Sequence, residues 1–190
     1  MEPTSWHVTI VTPGKMYKGI IHAGTALDRR TVSLLNSTNK TTKYTDETLT
    51  LDGFVQLDDV MLSVGKRKKG FSSISVRKSE IIFALDEFAS MGSESERKRF
   101  QSWSSPEDRT QVSIITKLRA GQSFQLTGRV FSLKQKFAGK DRFMAMTDVQ
   151  IEKLNPRPDA SPSKPSQVPF AAVNKEYIEA ISLVEVKFVD

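Results

Sequence analysis

Val8-Thr9-Ile10-Val11-Thr12 returns later in the chain as Val112-Ser113-Ile114-Ile115-Thr116, and this return decides the reading of the fold. In both places apolar or β-branched side chains alternate with polar ones, the period of a strand with one face on a core. A glycine follows each stretch (Gly14, Gly121), then an aromatic (Tyr17, Phe124), then a second glycine (Gly19, Gly128). The first glycine permits a tight turn. The second, inside a strand, points to a bulge or sharp bend that curls a short sheet.

The same order holds downstream. Phe54-Val55-Gln56-Leu57-Asp58-Asp59-Val60-Met61-Leu62 matches Phe143-Met144-Ala145-Met146-Thr147-Asp148-Val149-Gln150-Ile151, keeping the aromatic start and the Asp-Val pair. Val76-Arg77-Lys78-Ser79-Glu80-Ile81 matches Val173-Asn174-Lys175-Glu176-Tyr177-Ile178. Matching blocks in one order imply a duplication. Ser73-Ile74-Ser75-Val76 and Glu80-Ile81-Ile82-Phe83-Ala84-Leu85 complete a unit of about five short strands, the size of a small barrel rather than a sandwich. The expectation is therefore an all-β chain of two tandem five-stranded β-barrels, over 1–89 and 111–190, joined by a linker at 90–110.

Within the linker, Ser93 and Glu96 have capping-box spacing, and Arg97-Lys98-Arg99-Phe100-Gln101-Ser102-Trp103 completes one or two predicted helical turns. The segment 37–51, rich in threonine and lysine, lengthens a loop of the first half. The segment 155–169, with Pro156, Pro158, Pro162, Pro165 and Pro169, reads as an extended loop of the second. Asp59 recurs as Asp148, an aspartate expected at a strand end, accepting hydrogen bonds from a turn.

Composition bounds the chemistry. There are no cysteines, which excludes disulfides, thiolate metal sites and a cysteine nucleophile, and fits a reducing compartment such as the cytoplasm. No run of about 18 apolar residues exists to form a spanning helix, and Met1-Glu2-Pro3-Thr4-Ser5-Trp6 has no secretion-signal pattern. His7 and His22 are the only histidines and have no metal-ligand spacing. Asp58 and Asp59 are adjacent on a predicted strand and so point to opposite faces. No phosphate-cradling glycine loop or nucleophile elbow occurs. The reading is a non-catalytic protein without cofactor or metal.

The net charge of +6 favours anionic partners, and the cations are clustered. Lys66, Arg67, Lys68 and Lys69 lie between Gly65 and Gly70 and read as a hairpin tip. Arg97, Lys98 and Arg99 lie in the linker, and Lys134, Lys136, Lys140 and Arg142 surround Phe131 and Phe137. Cations interleaved with aromatics bind phosphates and stack on bases. Lysines at sheet edges also simply discourage edge-to-edge pairing.

The order strand, glycine, aromatic-x-glycine, strand, Asp-bearing strand and late Val-Arg-x-x-x-Ile strand resembles the Sm-like branch of the SH3-type small barrels. Over roughly residues 6–86 and 110–186 the resemblance implies tandem small barrels, from a family whose members commonly form rings and bind RNA. Arg30-Thr31-Val32-Ser33-Leu34-Leu35-Asn36 followed by Phe54-Val55-Gln56-Leu57-Asp58-Asp59 is also similar to short bacterial proteins of uncharacterised role. In the Sm-like family RNA bases are held by an Asp-x-x-x-Asn loop and an Arg-Gly pair, which places Asn36 and Arg77 in those roles. Lys78 stands after Arg77 where that pattern has glycine, and the second half has Asn174-Lys175. The resulting expectation is a protein-interaction adaptor with a protein partner and no membrane span, and with self-association open. The alternative is RNA or single-stranded nucleic-acid binding through the basic tips.

Overall fold

The alternation in the first two pairs of blocks becomes strand, whereas the third pair, Val76–Ile81 and Val173–Ile178, is broken by a 3-10 turn in each half. The computed structural model describes residues 4–23, 31–36, 53–86, 109–131, 139–154 and 165–183. The strands are β1 (Thr4–Thr12), β2 (Lys15–Ala23), β3 (Phe54–Val64), β4 (Arg67–Arg77) and β5 (Phe83–Asp86) in the first half. The second half holds β6 (Arg109–Thr116), β7 (Ser123–Phe131), β8 (Phe143–Leu154), β9 (Ser166–Asn174) and β10 (Ile178–Leu183). Among the described residues, a helix of six residues, α1 (Thr31–Asn36), interrupts the strands, and short 3-10 turns at Lys78–Glu80 and Lys175–Tyr177 precede β5 and β10.

All ten strands join one antiparallel sheet in the order β10-β6-β7-β8-β9-β5-β1-β2-β3-β4. This corrects the expectation of two separate closed barrels: the sheet is open, and the halves are joined edge to edge by β5 and β9. The linker and its predicted helix lie outside the described residues. Within each half the first strand pairs with both the second and the last, β1 with β2 and β5, and β6 with β7 and β10.

Two bulges with the same construction interrupt the sheet. Lys18 pairs with Met61 and Ile20 with Asp58, so Gly19 alone spans the two residues between. Thr127 pairs with Gln150 and Arg129 with Thr147, leaving Gly128 in the matching place. A Cβ on Gly19 would lie 2.9 Å from the Asp58 carbonyl oxygen, and one on Gly128 would lie 2.9 Å from that of Thr147, too close for any side chain. The extra residues, Asp59 (φ 49°) and Asp148 (φ 53°), adopt the left-handed conformation that aspartate tolerates better than most. The repeated aspartate therefore belongs to a mid-strand bulge, not to a strand end. Pro169, expected in a loop, sits in β9 between the Thr147–Phe170 and Val149–Val168 pairs, opposite the Asp148 bulge. Lacking an N–H, proline is tolerated where the ladder is already interrupted.

The join between the halves is a core as well as a ladder. Phe83, Ala84 and Leu85 pair with Val173, Ala172 and Ala171. Phe143, Phe170 and Ala172 of the second half pack into the core built on Val8, Ile10 and Leu57. Val11, Ile82 and Phe83 of the first half pack with Val112, Ile114 and Leu126, and the Phe83 ring meets Phe124 edge-on at 5.1 Å. Fully buried Asn174 locks the end of the ladder. Its backbone N–H donates to the Ile82 carbonyl at 2.9 Å and its side-chain amide to the Ile81 carbonyl at 2.8 Å, while its Oδ1 accepts from the Glu176 N–H at 3.0 Å. Asn174→Ala strips a buried carbonyl and an N–H of their side-chain partners, and unfolding by urea should show a loss of about 1–3 kcal/mol in stability. Asn174→Asp, which replaces the donor with an acceptor facing the Ile81 carbonyl, should lose at least as much.

Candidate interaction surface

Helix α1 is placed by its two end residues. The Thr31 hydroxyl donates to the buried Asp86 carboxylate at the end of β5. At the other end the Asn36 amide makes a paired contact with the start of β8: its Nδ2 donates to the Phe143 carbonyl at 2.9 Å, and its Oδ1 accepts from the Phe143 N–H at 2.8 Å. Both polar groups of the Asn36 side chain are thus committed to holding the halves together, a structural use the sequence does not reveal. Arg77, the other residue singled out by the family resemblance, is exposed at the end of β4, with its guanidinium 5.2 Å from the centroid of the Phe54 ring. Asn36, on α1, is bonded to the start of β8, and Arg77 lies on the outermost strand β4, so the structure does not bring them into one site.

The cations singled out in the sequence divide in the same way. β3 runs to Val64 and β4 begins at Arg67, so the turn is Gly65-Lys66 alone, and Arg67, Lys68 and Lys69 extend along β4 opposite Val64, Ser63 and Leu62. All four basic residues are exposed, the Lys69 ammonium lies 5.2 Å from the Phe71 ring centroid, and Met61 and Val64 beside them are 43% and 45% exposed. The hairpin is therefore a mixed cationic and apolar ribbon rather than a loop tip. Lys140 is exposed before β8, whereas Arg142 is ion-paired with Glu176 at 3.2 Å. Arg97, Lys98, Arg99, Lys134, Lys136 and Phe137 lie outside the described residues.

The sheet has two outer edges. β4 closes one and β10 the other, and among the described residues neither has a strand on its outer side. β10 is exposed along most of its length, including Ile181 (40%) and Leu183 (62%). An exposed outer strand with apolar side chains is a template for another strand. Sequence reasoning missed this surface because the alternation in β10 is the same as in a paired strand. Only the strand order shows which strand is last.

His22 Nε2 lies 3.4 Å from the Asp58 carboxylate, both partly exposed at the surface of β2 and β3. Gln56 donates to the same carboxylate at 3.1 Å and to Ser73 Oγ at 3.0 Å, so the group continues a surface polar network across β3 and β4. Among the described residues no three His, Asp or Glu side chains gather as a metal site, and no helix is long and apolar enough to cross a membrane. Neither a protein family, nor a curated protein, nor a solved structure matches the chain.

One ionisable group near the join responds to its surroundings. Burial raises the Tyr177 phenol above its usual range, Glu80 and Glu176 raise it further, and Arg119 opposes them. The folded state thus keeps the phenol protonated at pH values where the unfolded chain ionises it. That contribution to stability is whole below the unfolded pKa of about 10 and declines as pH rises through the folded value. Thermal unfolding followed above pH ~10 should show a falling midpoint, and the fall should be shallower in Tyr177→Phe.

Proposed function

We propose that this chain is a non-catalytic protein-interaction module that engages extended segments of protein partners along its outer strands. The observation that carries this reading is the open ten-stranded sheet with two outer edges, one of them bearing exposed Ile181 and Leu183. An added strand gains main-chain hydrogen bonds from such an edge, and alternate side chains supply selectivity. In this reading each half is a small five-stranded unit of the SH3-type, Sm-like kind. Support for that comes from the pairing of each first strand with the second and last, and from the 3-10 turn before each last strand. The absence of cysteine supports a reducing compartment such as the cytoplasm.

Panning a displayed peptide library on the intact chain tests the proposal. Selected peptides should be extended, and their binding should slow amide hydrogen exchange within Phe71–Arg77 of β4 or Glu179–Leu183 of β10. Selection of no peptide, or protection confined to other strands, overturns it.

A second reading, single-stranded nucleic-acid binding, is favoured by one observation: the exposed Lys66, Arg67, Lys68 and Lys69 beside Phe71. Fluorescence anisotropy with a mixed single-stranded RNA pool should then show affinity falling with salt at a slope near −0.7 per phosphate contact. Changing the four cations together to serine should flatten that slope by about 2–3 with no loss of folding. No binding at micromolar protein and low salt ends this reading.

A further inference from the structure

The turn end of the β3–β4 hairpin brings charge and apolar surface together in a way that strand pairing does not use. Residues opposite each other in an antiparallel pair share a face of the sheet, and successive residues alternate between faces. Val60, Leu62 and Val64 therefore lie on one face with Phe71, Lys69 and Arg67, and Met61 and Ser63 lie on the other with Gly70 and Lys68. The first row starts in the core at Val60, 2% exposed, passes half-buried Leu62 and ends at Val64, 45% exposed. On the second face Gly70 puts no side chain across from Met61, and a Cβ built there would meet nothing within 4 Å. Gly65, in the turn, has the same open space around it.

Both faces thus carry an exposed aliphatic side chain beside cations at one end of the sheet. Lys66, Arg67, Lys68 and Lys69 are exposed there, and β2 adds exposed Lys18, opposite Met61, and exposed Lys15 at its start. The stretches 4–23 and 60–79 contain no Asp or Glu, so neither β2 nor this end of the hairpin supplies an anion to balance them.

We propose that this hairpin docks on an anionic phospholipid surface, with Met61 and Val64 entering the boundary between headgroups and acyl chains and the cations reaching the charged headgroups. The function is peripheral membrane attachment, and it is independent of strand addition at the outer edges. Lysine and arginine suit such a boundary because their stems lie along apolar surface while their charges stay at the polar layer. A basic cluster supplies the attraction to anionic lipid, and buried aliphatic groups add an attraction that salt does not screen. A bilayer fits this ribbon better than a nucleic acid does. Met61 and Val64 offer no ring to stack on a base, and Phe71 is half-buried with the Lys69 ammonium 5.2 Å from its ring centroid. A peptide strand fits less well too, because cations along a strand edge deter pairing.

The chain contains no cysteine, so a thiol introduced by Val64→Cys takes a polarity-sensitive fluorophore at that position alone. Leu183→Cys, on the other outer strand, gives an equally apolar and exposed control site. With mixed phosphatidylcholine–phosphatidylserine vesicles the label at 64 should brighten and shift to the blue, and with phosphatidylcholine alone it should not change. The label at 183 should not change with either. Co-sedimentation of the unlabelled full chain should show binding to the mixed vesicles only. Changing Lys66, Arg67, Lys68 and Lys69 together to serine should lower that affinity about a hundredfold or more. Met61→Ser combined with Val64→Ser should lower it about tenfold or more and leave the remainder more sensitive to salt. Circular dichroism should be unchanged in both variants, since the altered side chains are exposed. Failure of the unaltered chain to bind the mixed vesicles at low salt overturns the proposal, as does equal binding to phosphatidylcholine alone. Binding that neither variant weakens, or a label at 64 that stays in water, also overturns it. If the chain binds single-stranded RNA and not the vesicles, the proposal is overturned in favour of the nucleic-acid reading of the same cations.

Discussion

The ladder between β5 and β9 is the constraint on which the rest of the structure depends. Without it each half would present an unpaired strand and an exposed part of its core, since Phe143 and Phe170 fill the first half's interior and Phe83 the second's. A strand edge with apolar side chains on it is stable only when covered. Here the covering is reciprocal; Asn174 satisfies a carbonyl at its end, and Asn36 of α1 satisfies the backbone at the start of β8. Two amide side chains do this work because an amide both donates and accepts, and so can complete a backbone pair where the strand itself has ended.

Curvature follows from a second constraint, the close approach of backbone at Gly19 and Gly128. The partner strand carries an extra residue at each place, and its carbonyl comes within 2.9 Å of where a Cβ would stand. A bulge increases local twist and bends the strand that contains it. The two bulges stand at equivalent points, between the second and third strands of each half. The sheet remains open because β4 and β10 lie at opposite ends of the strand order.

Among the described residues, exposed apolar and cationic side chains gather at the sheet's edges and on one hairpin. The β3–β4 hairpin combines exposed cations with Met61, Val64 and Phe71, while β10 combines exposed Ile181 and Leu183 with Glu179. One edge is thus basic toward its turn and the other is short and apolar. Arg67 to Lys69 lie at one end of β4, and serine, isoleucine and valine alternate at the other.

Much of the all-β architecture was legible in residues alone. Period-two alternation identified the strands, paired glycines marked the turns and bulges, and the absence of cysteine excluded thiol chemistry. These are local signals, because side-chain period and backbone freedom depend on a few neighbouring residues. What the tertiary structure decided was pairing between distant segments. Val173 opposite Phe83, Asn36 on Phe143, and the outer placement of Glu179 and Arg77 depend on which edge meets which. A strand's sequence reports that it has a buried face, but a backbone edge looks the same in sequence whether it is paired or open. For that reason the single open sheet, rather than two closed barrels, was visible only once the chain was folded.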